Sequence, residues 1–143
     1  MKTNKKTILL VSFVLISFRL MAPVKDFLTI VNLEEKAMPY TAIMNAVAMV
    51  ETKGDTLAYN PVEQAAGIFQ IRPIRLQDYN QRTGKRYTQK DLFKYNVSKE
   101  IFLYYAALTG PYDQEKIARR WNGSGHKTYY YWQRVKRQLG QQS

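Results

Sequence analysis

Apolar residues in this chain come in short blocks at helical spacing, and most blocks end near a Gly, a Pro or an Asn. Period-two alternation is scarce, which disfavours sandwiches and barrels and leaves short helices joined by irregular loops. Val24, Phe27, Leu28, Ile30 and Val31 form the first such block, and Pro39 opens a second helix carrying Ile43, Ala46, Val47 and Val50. Glu51 closes that stripe. From Thr52 to Ala66 the period is lost among Gly54, Asp55, Asn60 and Pro61, which marks a loop or small hairpin. Pro73 can start a helix through Leu76 and Tyr79, Thr88 and Asp91 have capping-box spacing, and Ser98 begins a long helix with Ile101, Phe102, Tyr105 and Leu108. After Gly110-Pro111, Asp113 caps a helix running to Trp121, and Asn122-Gly123-Ser124-Gly125 breaks the chain before a last helix at about 128–139. The expectation is a mainly helical, single-domain fold with a small loop or hairpin beside a cleft.

The N-terminus predicts export. Lys2, Lys5 and Lys6 precede an apolar run from Ile8 to Phe18, closed by Arg19 and followed by Met21-Ala22-Pro23. Such a run is short for a bilayer span and has the form of a leader, so 1–22 is expected to be an export signal or a retained membrane anchor, and 23–143 the folded domain. Export or membrane tethering is therefore expected rather than residence in the cytoplasm. The full chain sets 22 Lys and Arg against 11 acids, for a net charge of +11. Four of the basic residues and no acid lie in 1–22, so the remainder keeps +7. A balance of this sign steers anionic partners toward the surface. The basic residues are scattered, which together with the leader points away from nucleic acid.

The composition narrows the chemistry. There is no cysteine and one histidine, His126, so thiol nucleophiles, cysteine-ligated metals and serine–histidine triads are poorly supported; no metal and no cofactor is expected. What remains is carboxylate chemistry. Glu51 sits beside an apolar stripe at a helix end, where burial and the helix dipole both favour the neutral carboxylic acid that a general acid requires. Gln70 is a lone amide inside Gly67-Ile68-Phe69-Gln70-Ile71, so it either satisfies buried backbone or faces a cleft. Trp121 and Asn122 put an aromatic ring and an amide at a helix end, the pairing that holds a sugar by its apolar face and its acetamido group. The same ring, and that of Tyr131, can equally be core, and Asn122 can be a left-handed cap.

Taken in order, Glu51-Thr52, Asn60-Pro61, Ala66-Gly67-Ile68-Phe69-Gln70-Ile71-Arg72-Pro73, Ala118-x-x-Trp121-Asn122-x-Gly and Tyr131-x-x-x-Val135 resemble the soluble lytic transglycosylase and goose-type lysozyme group. The resemblance spans about residues 40–136. It implies a lysozyme-like α+β fold, with Glu51 as the catalytic acid and base and Gln70 beside it in the cleft. It also implies that Asn60 contacts the sugar or orients Glu51, and that Trp121, Asn122 and Tyr131 line the opposite wall. Thr52 stands where the family has Ser, Trp121 where it has Tyr, and Gly123-Ser124-Gly125 where it has Ala-Gly.

The reaction implied is cleavage of the β-1,4 bond between N-acetylmuramic acid and N-acetylglucosamine with closure of a 1,6-anhydro ring. That route requires one carboxyl group, whereas hydrolysis requires a second, about 5–5.5 Å away for retention or roughly 6.5–9.5 Å for inversion. Chicken-type lysozymes, which the Gly67–Ile71 segment also resembles, carry an Asp two places before that glycine; this chain has Ala65. Asp55 and Glu63 are the loop alternatives. A hydrolytic muramidase and a non-catalytic wall-binding module are the rival readings. The resemblance further implies a location in the periplasm, or anchored in the membrane facing the cell wall, with peptidoglycan glycan strands as partner and, by analogy with small family members, a secretion or conjugation apparatus.

Overall fold

Pro39 precedes the second helix instead of sitting in its first turn: Met38–Tyr40 is a 3-10 turn, and α1 runs from Thr41 to Thr52. These are the first elements of a computed structural model that describes residues 38–141. The chain divides into units Met1–Leu33 and Glu34–Ser143, and every described residue belongs to the second. The expected leader and the helix expected at 24–31 lie outside the described residues.

The described part is mainly helical. After α1 come two short strands, β1 (Tyr59–Asn60) and β2 (Ala65–Ala66), paired antiparallel with Tyr59 opposite Ala66 and Asn60 opposite Ala65. They are the small hairpin expected between Thr52 and Ala66. Helix α2 (Pro73–Thr83) starts on Pro73, whose fixed φ suits a first helical position, and stops where Gly84 turns left-handed at φ 71°. A 3-10 segment at Gln89–Phe93 follows, opened by the Thr88–Asp91 capping box. Helix α3 (Tyr95–Ala107) begins three residues before the expected Ser98. Ser98 is fully buried, and its hydroxyl donates to the Leu92 carbonyl, so it ties α3 to the preceding segment instead of capping a helix. Helix α4 (Gln114–Asn122) is capped by Asp113, which accepts from the Lys116 N–H at 2.9 Å, and α5 (Lys127–Gly140) closes the fold.

The core forms where the buried faces of α1, α3 and α4 meet the segment after β2. Ile43, Ala46 and Val47 of α1 are fully buried, as are Ile71, Ile101 and Val135. Phe69 stacks on Phe102 with centroids 4.9 Å apart, and Trp121 packs against both rings. Outside this core, Glu100 of α3 accepts from the Tyr79 and Tyr87 hydroxyls at 2.6 and 2.8 Å, fastening α2 and the loop after it to α3. Helix α5 packs on both α1 and α4, which brings Tyr131 to the end of α1.

Candidate active site

Glu51 lies in the last turn of α1. The helix ends there because Lys53 and Gly54 take left-handed φ values of 57° and 87°, with their N–H groups bonding back to the Met49 and Ala48 carbonyls. From α5, the Tyr131 hydroxyl donates to Glu51 Oε1 at 2.7 Å. Burial is the largest influence on Glu51 and raises its carboxyl above the ordinary 4.5. The Tyr131 hydrogen bond opposes that rise, as do the positive charges of Arg134 and Arg72, while the negative charge of Glu63 reinforces it. The outcome is upward, toward a carboxyl group that keeps its proton closer to neutrality. Burial, and next the charge of Glu51, push Tyr131 far above the usual tyrosine range, so its hydroxyl stays a neutral donor.

The segment from Gly67 to Ile71 is held against Glu51's own helix. The Thr52 hydroxyl reaches the Ile68 carbonyl at 3.0 Å, so the residue next to Glu51 anchors the second motif to the first. The segment is a tight reversal, with Ala66 and Ile71 exchanging backbone hydrogen bonds at 3.1 and 3.0 Å. Gly67 is required in it: its φ is +74°, and a Cβ there would sit 2.1 Å from the Leu92 carbonyl oxygen. Gln70 also takes a left-handed φ, 51°. Its side-chain amide donates to the Gly67 and Ala58 carbonyls at 3.1 and 3.3 Å, which joins the reversal to the stretch before β1. Of the two roles open to this amide, the satisfaction of backbone is therefore observed directly.

The other residues singled out in the sequence fall in different places. Asn60 accepts from the Val62 and Glu63 N–H groups at 3.0 and 3.3 Å, so its side chain shapes the hairpin turn. Trp121 is 5% exposed, donates its indole N–H to the Phe69 carbonyl at 3.2 Å and carries the Arg75 guanidinium 4.1 Å from its ring centre. It belongs to the core and also borders a pocket between α2, α3 and α4, with Arg75, Tyr105 and Arg120. Asn122 is the last residue of α4 and partly buried, and the positive φ after it belongs to Gly123, at 140°. The left-handed position thus falls one residue later than an Asn cap would put it.

An open groove of about 540 Å³ runs along the end of α1 and the outer turns of α5, lined by residues 49–53 with Arg134, Arg137, Gln138 and Gln141. Of the six residues, only Glu51 is in its lining; Gln70, Asn60, Trp121, Asn122 and Tyr131 are not. Of the six residues, the structure joins Glu51 and Tyr131 directly, and links Gln70 to them through the reversal that Thr52 holds.

Three contributors were not among the site residues the sequence suggested. Arg134 donates to the Val50 carbonyl at 2.9 Å and is electrostatically coupled to Glu51. The signal for it was available, since it lies three residues after Tyr131 and so on the same helical face. Arg72 reaches Glu51 electrostatically while pairing through two nitrogens with Glu63, at 2.8 and 3.2 Å. No local pattern announces that pair, because the hairpin register creates it. Thr52 was visible only as a departure from a family motif. Among the described residues no group of His, Cys, Asp or Glu is placed to hold a metal ion. No protein-family model, curated protein or solved structure matches the chain.

Proposed function

We propose that this chain is a peptidoglycan lytic transglycosylase of lysozyme-like architecture, with Glu51 as its acid and base. The observation that carries the reading is the 2.7 Å bond from Tyr131 to a partly buried Glu51 at a helix end. Two residues eighty positions apart, each chosen by a different motif, meet in one hydrogen bond. In the reaction, protonated Glu51 gives its proton to the oxygen bridging N-acetylmuramic acid and N-acetylglucosamine, and that bond breaks. The substrate's acetamido group stabilises the cationic centre at C1. Ionised Glu51, steadied by the Tyr131 hydroxyl and the charges of Arg134 and Arg72, then takes the proton from the muramyl C6 hydroxyl. The C6 oxygen attacks C1, the 1,6-anhydro ring closes, and Glu51 is again protonated.

The positive net charge supports an anionic polymer as substrate. In this reading 1–22 is an export signal or membrane tether, 23–143 is the enzyme, and the site of action is the cell wall, where a secretion or conjugation apparatus needs a local opening. The direct test is Glu51→Gln. Loss of the proton donor lowers clearing of purified sacculi by at least about 10²-fold, with binding and thermal melting retained. Undiminished clearing by that variant contradicts the enzyme reading and favours a wall-binding module.

One observation favours hydrolysis as a second reading: Glu63 is an acidic group whose charge is felt at Glu51. Glu63→Gln separates the two. A transglycosylase retains activity within about threefold, whereas a hydrolase that relies on Glu63 to activate water loses about 10² or more.

A further inference from the structure

The groove beside Glu51 carries more positive charge than the reaction uses. Lys53 follows α1 directly, and Arg134 and Arg137 lie one turn apart on α5, all three in the lining. Arg134 holds the Val50 carbonyl through one nitrogen, at 2.9 Å. Neither Lys53 nor Arg137 forms an ion pair with an acidic group among the described residues, although Arg72, Arg82, Lys85, Lys94 and Arg119 all do. The only acid in the lining is Glu51, already bonded to Tyr131. A basic residue at the end of a helix is ordinary for its dipole, and Lys53 at the C-cap of α1 and Arg137 in the last turn of α5 both fit that. The dipole does not account for the two meeting in one groove whose only acid is Glu51. Three backbone carbonyls at this end of α1 already accept hydrogen bonds, Val50 from Arg134, Met49 from Lys53 N–H and Ala48 from Gly54 N–H, and the positive charges of Lys53, Arg134 and Arg137 oppose the negative end of the α1 dipole for an incoming anion. Gln138 and Gln141 add uncharged amides that can donate to the same ligand.

We propose that this groove is a carboxylate-binding subsite, in which Lys53 and Arg137 hold an acidic side group or terminus of the peptide stem carried by the muramyl residue next to the scissile bond. The proposal rests on the transglycosylase reading and deepens it: the substrate is the peptide-substituted strand, not bare glycan. A planar carboxylate suits a guanidinium fork, with the ammonium group as a second point of contact. The groove adjoins Glu51, which puts a stem attached to the reacting sugar within its reach.

The experiment uses the full chain and the double variant Lys53→Gln, Arg137→Gln. Glutamine is chosen at position 53 because Gln64 and Gln70 already take φ values of 52° and 51° in this fold, matching the 57° of Lys53. Cleavage rates are measured on glycan strands bearing stems and on strands stripped of them by an amidase. The wild type is expected to prefer stem-bearing strands by about tenfold, and the double variant to lose that preference at an unchanged rate on stripped strands. A second arm titrates free stem peptide into wild type, double variant and Glu51→Gln by NMR. Wild type and Glu51→Gln bind it, the double variant does not, and inorganic phosphate competes weakly. Cleavage of both substrates at equal rates, or unchanged peptide binding by the double variant, overturns the subsite while leaving the transglycosylase reading intact. Equal competition by phosphate also overturns it, as a general anion site. Peptide binding that depends on Lys53 and Arg137, without glycan cleavage by the wild type, upholds the subsite and contradicts the enzyme reading.

Discussion

Glu51 depends on two opposing influences, and each is attached to a residue that can be changed. Burial holds its proton on; Tyr131, Arg134 and Arg72 favour its release. As the bond donor, Tyr131 stabilises the ionised form more than the neutral one, so removing its hydroxyl raises the Glu51 carboxyl further. In the proposed reaction the first step needs protonated Glu51, so activity is expected below its folded-state pKa and is lost as the pH rises through it. Tyr131→Phe is therefore expected to move the alkaline limb of the pH–rate profile upward while lowering the rate at the optimum by about tenfold, as removal of a charged hydrogen bond does. A pH profile measured on soluble glycan fragments checks it. A limb that stays in place, or moves down, means that the bond does not act on the titrating group.

At the level of elements, the site depends on a reversal that has no room for a side chain. Gly67→Ala would combine a left-handed φ with a collision against the backbone of Leu92, which no rotamer can relieve. The expected cost is about 3 kcal/mol or more, read as a lower midpoint in urea unfolding, with loss of activity because Ile68 and Gln70 shift away from Thr52. An alanine variant as stable as the wild type would show that the reversal is not as tight as described. Much of this level was legible in the sequence, because the signals are local: Pro73 at a first helical position, Asp113 as a cap, the Thr88–Asp91 box and the glycine ends all act within a few residues. Where the reading misjudged, tertiary contacts decided. Ser98 looks like a cap in sequence but is drawn into the interior by the Leu92 carbonyl. Trp121 beside an amide left core and sugar platform equally open in the sequence; Ile117 and Ala118, four and three residues before it on the same face, are both buried, and the indole is buried with them. The Glu51–Tyr131 pair is separated by most of the domain, so only a resemblance could suggest it; the Arg72–Glu63 pair depends on hairpin register and left no trace.

The whole molecule contributes charge. With 22 basic residues against 11 acids, the protein attracts anionic partners over distances longer than any single contact, and salt screens such attraction within about 8 Å at physiological ionic strength. Turnover of intact sacculi is expected to fall severalfold between about 50 and 500 mM salt, chiefly through weaker binding, while turnover of short neutral fragments changes little. Equal salt sensitivity on both substrates would mean that the charge serves folding or some other contact. In the proposed reading the surface and the groove have different tasks, the first bringing the chain to the wall and the second selecting where along the strand it acts. The account nonetheless rests on the chemistry at Glu51, and the composition of the products reads that most directly. Mass spectrometry of the soluble fragments released from sacculi by the wild type is expected to find muramyl ends lighter by one water, closed as 1,6-anhydro rings, and none released by Glu51→Gln. Ordinary reducing ends, or fragments released equally by both proteins, would contradict it.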